Sequence, residues 1–101
     1  MGWRLLETVL ESVTIGQVVA QSQPDRIALY IVNMAASTVH ITTRAPPYAS
    51  NAGLPIKADD EIDFHWSRDG DLARSEWRLI DPVPPQEMVI IEEIFDPDGE
   101  P

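Results

Sequence analysis

Hydrophobic residues recur along this chain with the spacing of β-strands. In Arg26–Asn33 (RIALYIVN) apolar residues occupy both alternating faces, which predicts a central strand buried on both sides. Thr38–Thr43 (TVHITT) alternates Val39 and Ile41 with polar residues and is rich in β-branched side chains. We therefore predict a half-buried strand there, joined to the first strand in a hairpin.

A second hairpin is predicted further along the chain. Glu61–Trp66 alternates strictly, which places Phe64 and Trp66 on the inner face of a strand. The segment SRDGD that follows contains an Asp-Gly pair, which is typical of a turn. Leu72–Ile80 then alternates again, and Trp77 falls on its apolar face. Both tryptophans are predicted to be core residues.

The remaining segments are assigned from composition. Ser12–Ala20 predicts a strand with a glycine bulge, and Met88–Phe95 predicts a strand of high β-propensity. Arg44–Pro55 holds three prolines and predicts a long surface loop. Trp3–Glu11 (WRLLETVLE) admits an extended arm or, as its Leu and Glu content favours, one short helix.

Five or six strands with hardly any helix predict an all-β fold, a small antiparallel β-sandwich or barrel-like domain. The length of 101 residues allows one core. We expect that domain to span residues 12–95. Residues 1–11 would form the N-terminal arm or helix, and residues 96–101 an acidic flexible tail.

Charge divides the chain into two unequal parts. Residues 1–58 hold three acids and four bases, whereas residues 59–101 hold fourteen acids and three bases, for a total of -10. This balance argues against nucleic acid as a partner, because phosphates require cations. No apolar run reaches the roughly 20 residues of a membrane span, and no signal-peptide stretch opens the chain. We expect a soluble protein made in the cytoplasm, with no membrane partner.

Catalytic and metal-binding signals are weak. The chain has no cysteine, and its two histidines, His40 and His65, accompany no nucleophile-elbow sequence, so we expect no enzyme and no cofactor. Asp63 and His65 point the same way from one strand, a geometry that metal sites use. The favoured interpretation is a solvated polar face, and a hard cation such as Ca²⁺ or Mg²⁺ is the alternative.

Aromatic residues in the arm and the loop are the best candidates for partner contact. Trp3 lies in the arm, where it either folds back on its own core or reaches a neighbour. Tyr48 lies in the proline-stiffened loop, where it either packs within the loop or contacts a partner. The predicted partner-binding residues are Trp3, Leu6, Leu10, Arg44 and Tyr48. Because these lie in the near-neutral part of the chain, we expect a homo-oligomer, or many copies on a symmetric lattice, held through that side.

An ordered set of motifs resembles small virion proteins of tailed bacteriophages. These motifs are PDRIALYIVN at Pro24–Asn33, TVHIT at Thr38–Thr42, NAGLPI at Asn51–Ile56, and then DFHW and EWRLI. The resemblance covers about residues 12–95 and implies a non-enzymatic β-sandwich that decorates or cements a capsid. Its partners would be the major capsid protein or other virion proteins. Its location would be the virion, after synthesis in the host cytoplasm.

Other functions fit the same residues. A head–tail or tail component would have the same kind of fold. An acidic inhibitor that mimics nucleic acid would use the carboxylates clustered around Asp59–Asp71. A cellular ligand-binding or accessory β domain is a third possibility.

Overall fold

The chain folds into two packed antiparallel sheets. The computed structural model describes residues 2–44, 53–81, 83–84 and 86–96, and describes only the backbone of residues 2, 3 and 96. The strands are β1 (Gly2–Val9), β2 (Val18–Ala20), β3 (Arg26–Asn33), β4 (Val39–Thr42), β5 (Leu54–Ile56), β6 (Asp60–His65), β7 (Trp77–Leu79) and β8 (Met88–Asp96). A helical turn, α1 (Trp66–Asp69), and a 3₁₀ helix (Gly70–Arg74) connect β6 to β7.

Each sheet has four strands. Sheet I has the order β1-β8-β3-β6, and sheet II has the order β2-β7-β4-β5. Every strand pairing within them is antiparallel. The predicted all-β sandwich is therefore confirmed. The sheets differ in size, because β1, β3 and β8 have eight or nine residues while the strands of sheet II have three or four.

The core lies between the two sheets. Phe64 of sheet I stacks on Trp77 of sheet II with ring centroids 4.6 Å apart, which joins the layers directly. An isolated bridge between Val13 and Val83 lies outside the named strands, and both of its side chains are buried in the core. The core side chains with almost no exposed surface include Leu29, Ile31, Val39, Ile41, Leu79, Met88 and Ile90.

A β-bulge at the start of β3 turns a charged side chain into the protein. Arg26 pairs with Ile94 of β8 and Ala28 pairs with Glu93, so Ile27 is an extra residue between the two pairs. Without the bulge Arg26 and Ala28 would share a face, since side chains alternate with a period of two. With it, Arg26 points inward and is 0% exposed.

The buried guanidinium of Arg26 binds three other segments of the chain. Its Nε donates to the carbonyl oxygen of Ala73 (2.7 Å), and its terminal nitrogens donate to the carbonyls of Gln21 (2.8 Å) and Ser75 (2.6 Å). One of them also pairs with the carboxylate of Glu92 at 2.9 Å. The side chain therefore satisfies carbonyls beside β2 and at the end of the 3₁₀ helix, and fixes both against β8.

At the other end of β3, the side chain of Asn33 also joins separate segments by hydrogen bonds to their backbone. Its side-chain amide donates to the carbonyls of Ser37 (2.9 Å), Ile56 (2.9 Å) and Lys57 (3.1 Å), and its Oδ1 accepts from the backbone N–H of Ala35 (2.9 Å). The residue is completely buried. The connection from β3 to β4 and the end of β5 are thus both held by one side chain.

The helical interpretation of Trp3–Glu11 is wrong. Gly2–Val9 is strand β1, paired in unbroken register with β8 from Gly2 opposite Asp96 to Val9 opposite Val89. Tertiary pairing overrides the weak helix preference of Leu and Glu in so short a segment. The arm is therefore part of sheet I.

Both predicted hairpins are also wrong. Their strands exist, but of the predicted strand Leu72–Ile80 only Trp77–Leu79 is a strand, because Gly70–Arg74 forms a 3₁₀ helix. β3 belongs to sheet I and pairs with β6 and β8, whereas β4 belongs to sheet II and pairs with β5 and β7. Likewise β6 pairs with β3, and β7 pairs with β2 and β4. In both predicted hairpins the chain thus crosses from sheet I to sheet II.

Trp66 is not a core residue, whereas the prediction for Trp77 is confirmed. Trp77 is 2% exposed, but Trp66 is 40% exposed. Strand β6 ends at His65, so Trp66 begins α1 and leaves the strand alternation. Its ring instead lies 3.5 Å from the guanidinium carbon of Arg74, a cation–π contact at the surface.

The other assignments are confirmed in part. Of Ser12–Ala20 only Val18–Ala20 is a strand, because Gly16 at φ +82° belongs to a turn. In the predicted loop, residues 45–52 lie outside the described part, and Leu54 and Pro55 belong to β5. Gly53 precedes them at φ +84°, where a Cβ would overlap the carbonyl oxygen of Ile41. Residues 97–101 of the predicted tail also lie outside the described part.

Replacing Arg26 tests how much the fold depends on this side chain. Arg26→Met should lower the free energy of unfolding by about 3–5 kcal/mol, because it leaves buried carbonyls and the carboxylate of Glu92 unpaired. Urea unfolding followed by tryptophan fluorescence measures the change. Arg78→Met is the control, since Arg78 makes one carbonyl bond and one surface ion pair, and should cost about 1 kcal/mol or less. Equal losses in the two variants would contradict the assigned role.

Candidate interaction surface

Strand β1 is a long edge strand with apolar side chains in the solvent. Leu5 is 69% exposed, Leu6 38% and Val9 49%, and all described side chains from Arg4 to Val9 are exposed. Side chains of both faces of the strand are therefore uncovered. The short strands of sheet II do not reach beneath it, and among the described side chains of residues 4–10 only that of Leu10, just beyond β1, packs against the core.

The outward edge of β1 presents free backbone N–H and C=O groups, and the contacts of one residue show which positions carry them. Leu10 donates its N–H to the carbonyl of Met88 (3.0 Å), and its own carbonyl accepts from the N–H of Gln86 (2.8 Å), so its backbone faces β8. In antiparallel strands this direction alternates from residue to residue. Among the described strands β1 neighbours only β8, so Leu5, Glu7 and the other odd-numbered residues aim their N–H and C=O groups outward.

The other three sheet edges are protected. At the far side of sheet I, β6 begins Asp-Glu-Ile-Asp, and charged side chains discourage strand addition. In sheet II the edge strands β2 and β5 have three residues each, and β5 contains Pro55, which has no N–H. Strand β1 is the long, apolar edge among those the structure describes.

A shallow hollow lies beside α1 on the outer face of sheet I. It has a volume of about 290 Å³ and is lined by Ile27, Ala28, His65, Trp66, Ser67 and Glu93. In the described part of the chain, no hydrogen bond links Ser67 to His65. The hollow therefore combines apolar side chains with a carboxylate and an imidazole, and its described residues form no nucleophile–base pair.

Polar side chains around His65 are bonded to one another. The Nε2 of His65 lies 2.7 Å from a carboxylate oxygen of Asp63, and its ring meets the ring of Tyr30 edge-on at 5.6 Å. The backbone N–H of His65 donates to Asp69 (2.9 Å), whose carboxylate pairs with Arg68 at 2.8 Å. No group of three potential metal ligands comes together in the parts of the chain that the structure covers.

These contacts lower the pKa of Asp69 below the ordinary aspartate value, first through the hydrogen bond from Arg68 and then through the N–H of His65. The same pairing raises the pKa of Arg68. Arg68 also lies 3.6 Å from Asp63, so one guanidinium serves two carboxylates of the acidic cluster. A nucleic-acid mimic needs free carboxylates, and here two are already paired.

The second histidine is held by an aspartate. The carboxylate of Asp81 accepts from the backbone N–H of His40 at 2.7 Å and lies 3.0 Å from its Nδ1. The contact joins β4 to the segment after β7, where the N–H of Ile80 also donates to the carbonyl of His40 (2.8 Å). Both interactions fix strand positions within sheet II.

Of the predicted partner-binding residues, those whose side chains the structure describes lie in different parts of the fold. Leu6 is exposed on β1, whereas Leu10 is partly buried against the core. The backbone of Trp3 lies opposite Phe95 in β1, but its side chain is outside the description. Arg44 is exposed just after β4, in the opposite sheet. Tyr48 lies outside the described residues.

Sequence reasoning missed Leu5 and Val9, the two most exposed apolar residues among the described side chains of β1. The available signal was the adjacent pair Leu5-Leu6, which breaks strict alternation. In a strand such a pair places one apolar side chain on each face. That pattern fits an edge strand that projects beyond the second layer.

Comparisons of the chain with protein-family models, with curated proteins and with solved structures find no match. The resemblance to phage virion proteins therefore stays a prediction. Neither helical segment of the described chain is long and apolar enough to cross a membrane.

The lowered pKa of Asp69 predicts a pH-dependent contribution to stability. A carboxyl with a depressed pKa stabilises the fold at pH values above about 3.9, its unfolded pKa, and loses that effect as the pH falls through the folded pKa. Asp69→Asn should therefore melt below the wild-type temperature at pH 7 and match it in strong acid. Thermal melts across this range measure the difference.

The control is Asp71→Asn, because the carboxylate of Asp71 makes no bond to the residues that the structure describes. The assignment would be contradicted if the difference in melting temperature between Asp69→Asn and the wild type did not change with pH. It would also be contradicted if Asp71→Asn showed the same difference.

Proposed function

We propose that this protein is a non-enzymatic structural component of a tailed-phage virion, which decorates the capsid and binds a neighbouring chain of the particle along the free edge of β1. The observation that carries the binding mode is the length, exposure and apolar character of that edge. The virion assignment comes from the motif resemblance. The partners of this protein are capsid or other virion proteins.

Strand addition is the mode of binding that fits this edge. A partner strand laid beside β1 satisfies the outward N–H and C=O groups with a ladder of hydrogen bonds. It also covers Leu5 and Val9, and burying one such side chain contributes about 1.5–3 kcal/mol. Many identical weak contacts on a lattice multiply to a firm attachment, by roughly 10² to 10⁴ for linked copies.

The charge distribution favours approach from the same side. Strand β1 carries one Arg and one Glu, whereas the acidic β6 lies at the opposite edge of sheet I, three strand spacings away. Three spacings amount to about 14 Å, which exceeds the screening length of about 8 Å at physiological salt. A partner that adds to β1 therefore avoids the acidic edge.

Retention in purified particles tests the proposal. The double variant Leu5→Lys/Val9→Lys places charges on the edge, and should reduce the amount of protein recovered with gradient-purified particles of the source phage at least about tenfold. Ile15→Lys/Leu72→Lys is the matched control: it makes the same charge change at two other exposed apolar positions outside β1, which are 66% and 43% exposed against 69% and 49%.

Particles that retain both double variants equally would refute the proposed docking edge. Absence of the wild-type chain from every particle fraction would refute the virion role itself. Recovery with a cellular nuclease or repressor instead would favour the acidic-mimic function.

A further inference from the structure

We infer that the strand which adds to β1 is the β1 strand of a second copy, in antiparallel register about a two-fold axis with Leu6 opposite Leu6. This inference rests on the proposed function, because it takes the free edge of β1 as the docking edge. The result joins two four-stranded copies of sheet I into one continuous sheet of eight strands.

The edges of the chain itself restrict which strand of a second copy can pair there. Strand β6 would bring its run of carboxylates against β1, and β5 would bring a proline without an N–H. Strand β2 is three residues long and matches less than half of the eight-residue β1. Among the described edges, β1 is the one with the length and the free groups to match β1.

The two-fold symmetry and the direction of the backbone N–H and C=O groups then limit the register of the two β1 strands. A two-fold axis perpendicular to the sheet pairs residues whose numbers sum to an even value, so that each face continues as the same face of the other copy. The odd-numbered residues carry the outward N–H and C=O groups, so they form the hydrogen-bonded pairs. Centring the axis on Arg4 or on Glu7 would place like charges directly opposite one another, which destabilises a strand pair.

Two central positions remain, Leu5 and Leu6. An axis centred on Leu6 pairs Trp3 of one copy with Val9 of the other, and Leu5 with Glu7. Each of these pairs occurs twice, because exchanging the two copies repeats it. These are four hydrogen-bonded pairs with about eight bonds, because each such pair exchanges two. Centring on Leu5 leaves three such pairs and about six bonds. The Leu6-centred register therefore uses the whole strand.

Charge separation supports self-association at this edge in a protein of net charge -10. In the joined sheet the two acidic β6 strands lie at the outer ends, seven strand spacings apart. That distance is about 34 Å, several screening lengths. Pairing through β6 would instead place the two acidic strands side by side.

The absence of cysteine makes a single-cysteine cross-linking experiment unambiguous. In the inferred register the Leu6 positions form a non-hydrogen-bonded pair with Cα atoms about 4.5 Å apart, within the range that a disulfide spans. The two Leu5 positions are offset along the strands, beyond about 7 Å and outside that range. Oxidation of the full-length L6C variant should therefore give a disulfide dimer on non-reducing gels.

L5C and I15C are the controls, and I15C reports random collision at a residue as exposed as Leu5. We expect L6C to cross-link at least about tenfold faster than either control, at protein concentrations where sedimentation shows wild-type dimer. Equal rates for the three variants, or faster cross-linking of L5C, would overturn the inference.

The outcome also separates this inference from the proposed function. If the wild-type chain stays monomeric and L6C fails to cross-link, while Leu5→Lys/Val9→Lys still loses particle binding, the second-copy inference is wrong and the docking edge stands. If L6C cross-links but the lysine variant binds particles normally, the dimer stands and the proposed docking is wrong.

Discussion

Burying the guanidinium of Arg26 brings four segments of the chain to one point, and the arrangement of both sheets follows from it. The β-bulge turns Arg26 to the face of β3 on which Leu29 and Ile31 pack inside, while Tyr30 lies on the outer face. The bonds to Ala73 and to other carbonyls hold the 3₁₀ helix that carries the chain from sheet I to sheet II. A fold of this size tolerates a buried cation because every one of its contacts is a hydrogen bond to a fixed acceptor.

The same arrangement leaves sheet I larger than sheet II and places β1 at an edge without cover. The long strands β1, β3 and β8 extend past the short strands of the second layer. Three edges carry charge, proline or too few residues for pairing, whereas β1 carries exposed leucines and outward backbone groups. An unprotected edge is a liability for an isolated domain and a means of attachment for a component of an assembly. The proposed function and the two-fold pairing both depend on this asymmetry.

Local pattern was sufficient to predict strands β3, β4, β6 and β8, since each alternates or clusters its apolar residues. Their pairing was not predictable, because a short connection such as residues 34–38 can close a hairpin or cross to the other layer. The strand β1 was missed because it buries neither face, so its pattern lacks the alternation that marks a half-buried strand. Three residues in the motifs that carry the phage resemblance, Arg26, Asn33 and Gly53, all have structural roles in this fold. Those motifs therefore bear on architecture more directly than on the partner.

Amide hydrogen exchange along β1, measured at low and high protein concentration, tests the central claim most directly. The N–H groups of Leu6 and Thr8 face β8 and should be protected at both concentrations. The N–H groups of Leu5, Glu7 and Val9 face outward, and should exchange rapidly in dilute solution and become protected together as the concentration rises. Rapid exchange of all three at every concentration, with Leu6 and Thr8 still protected, would contradict pairing of this edge with a second copy.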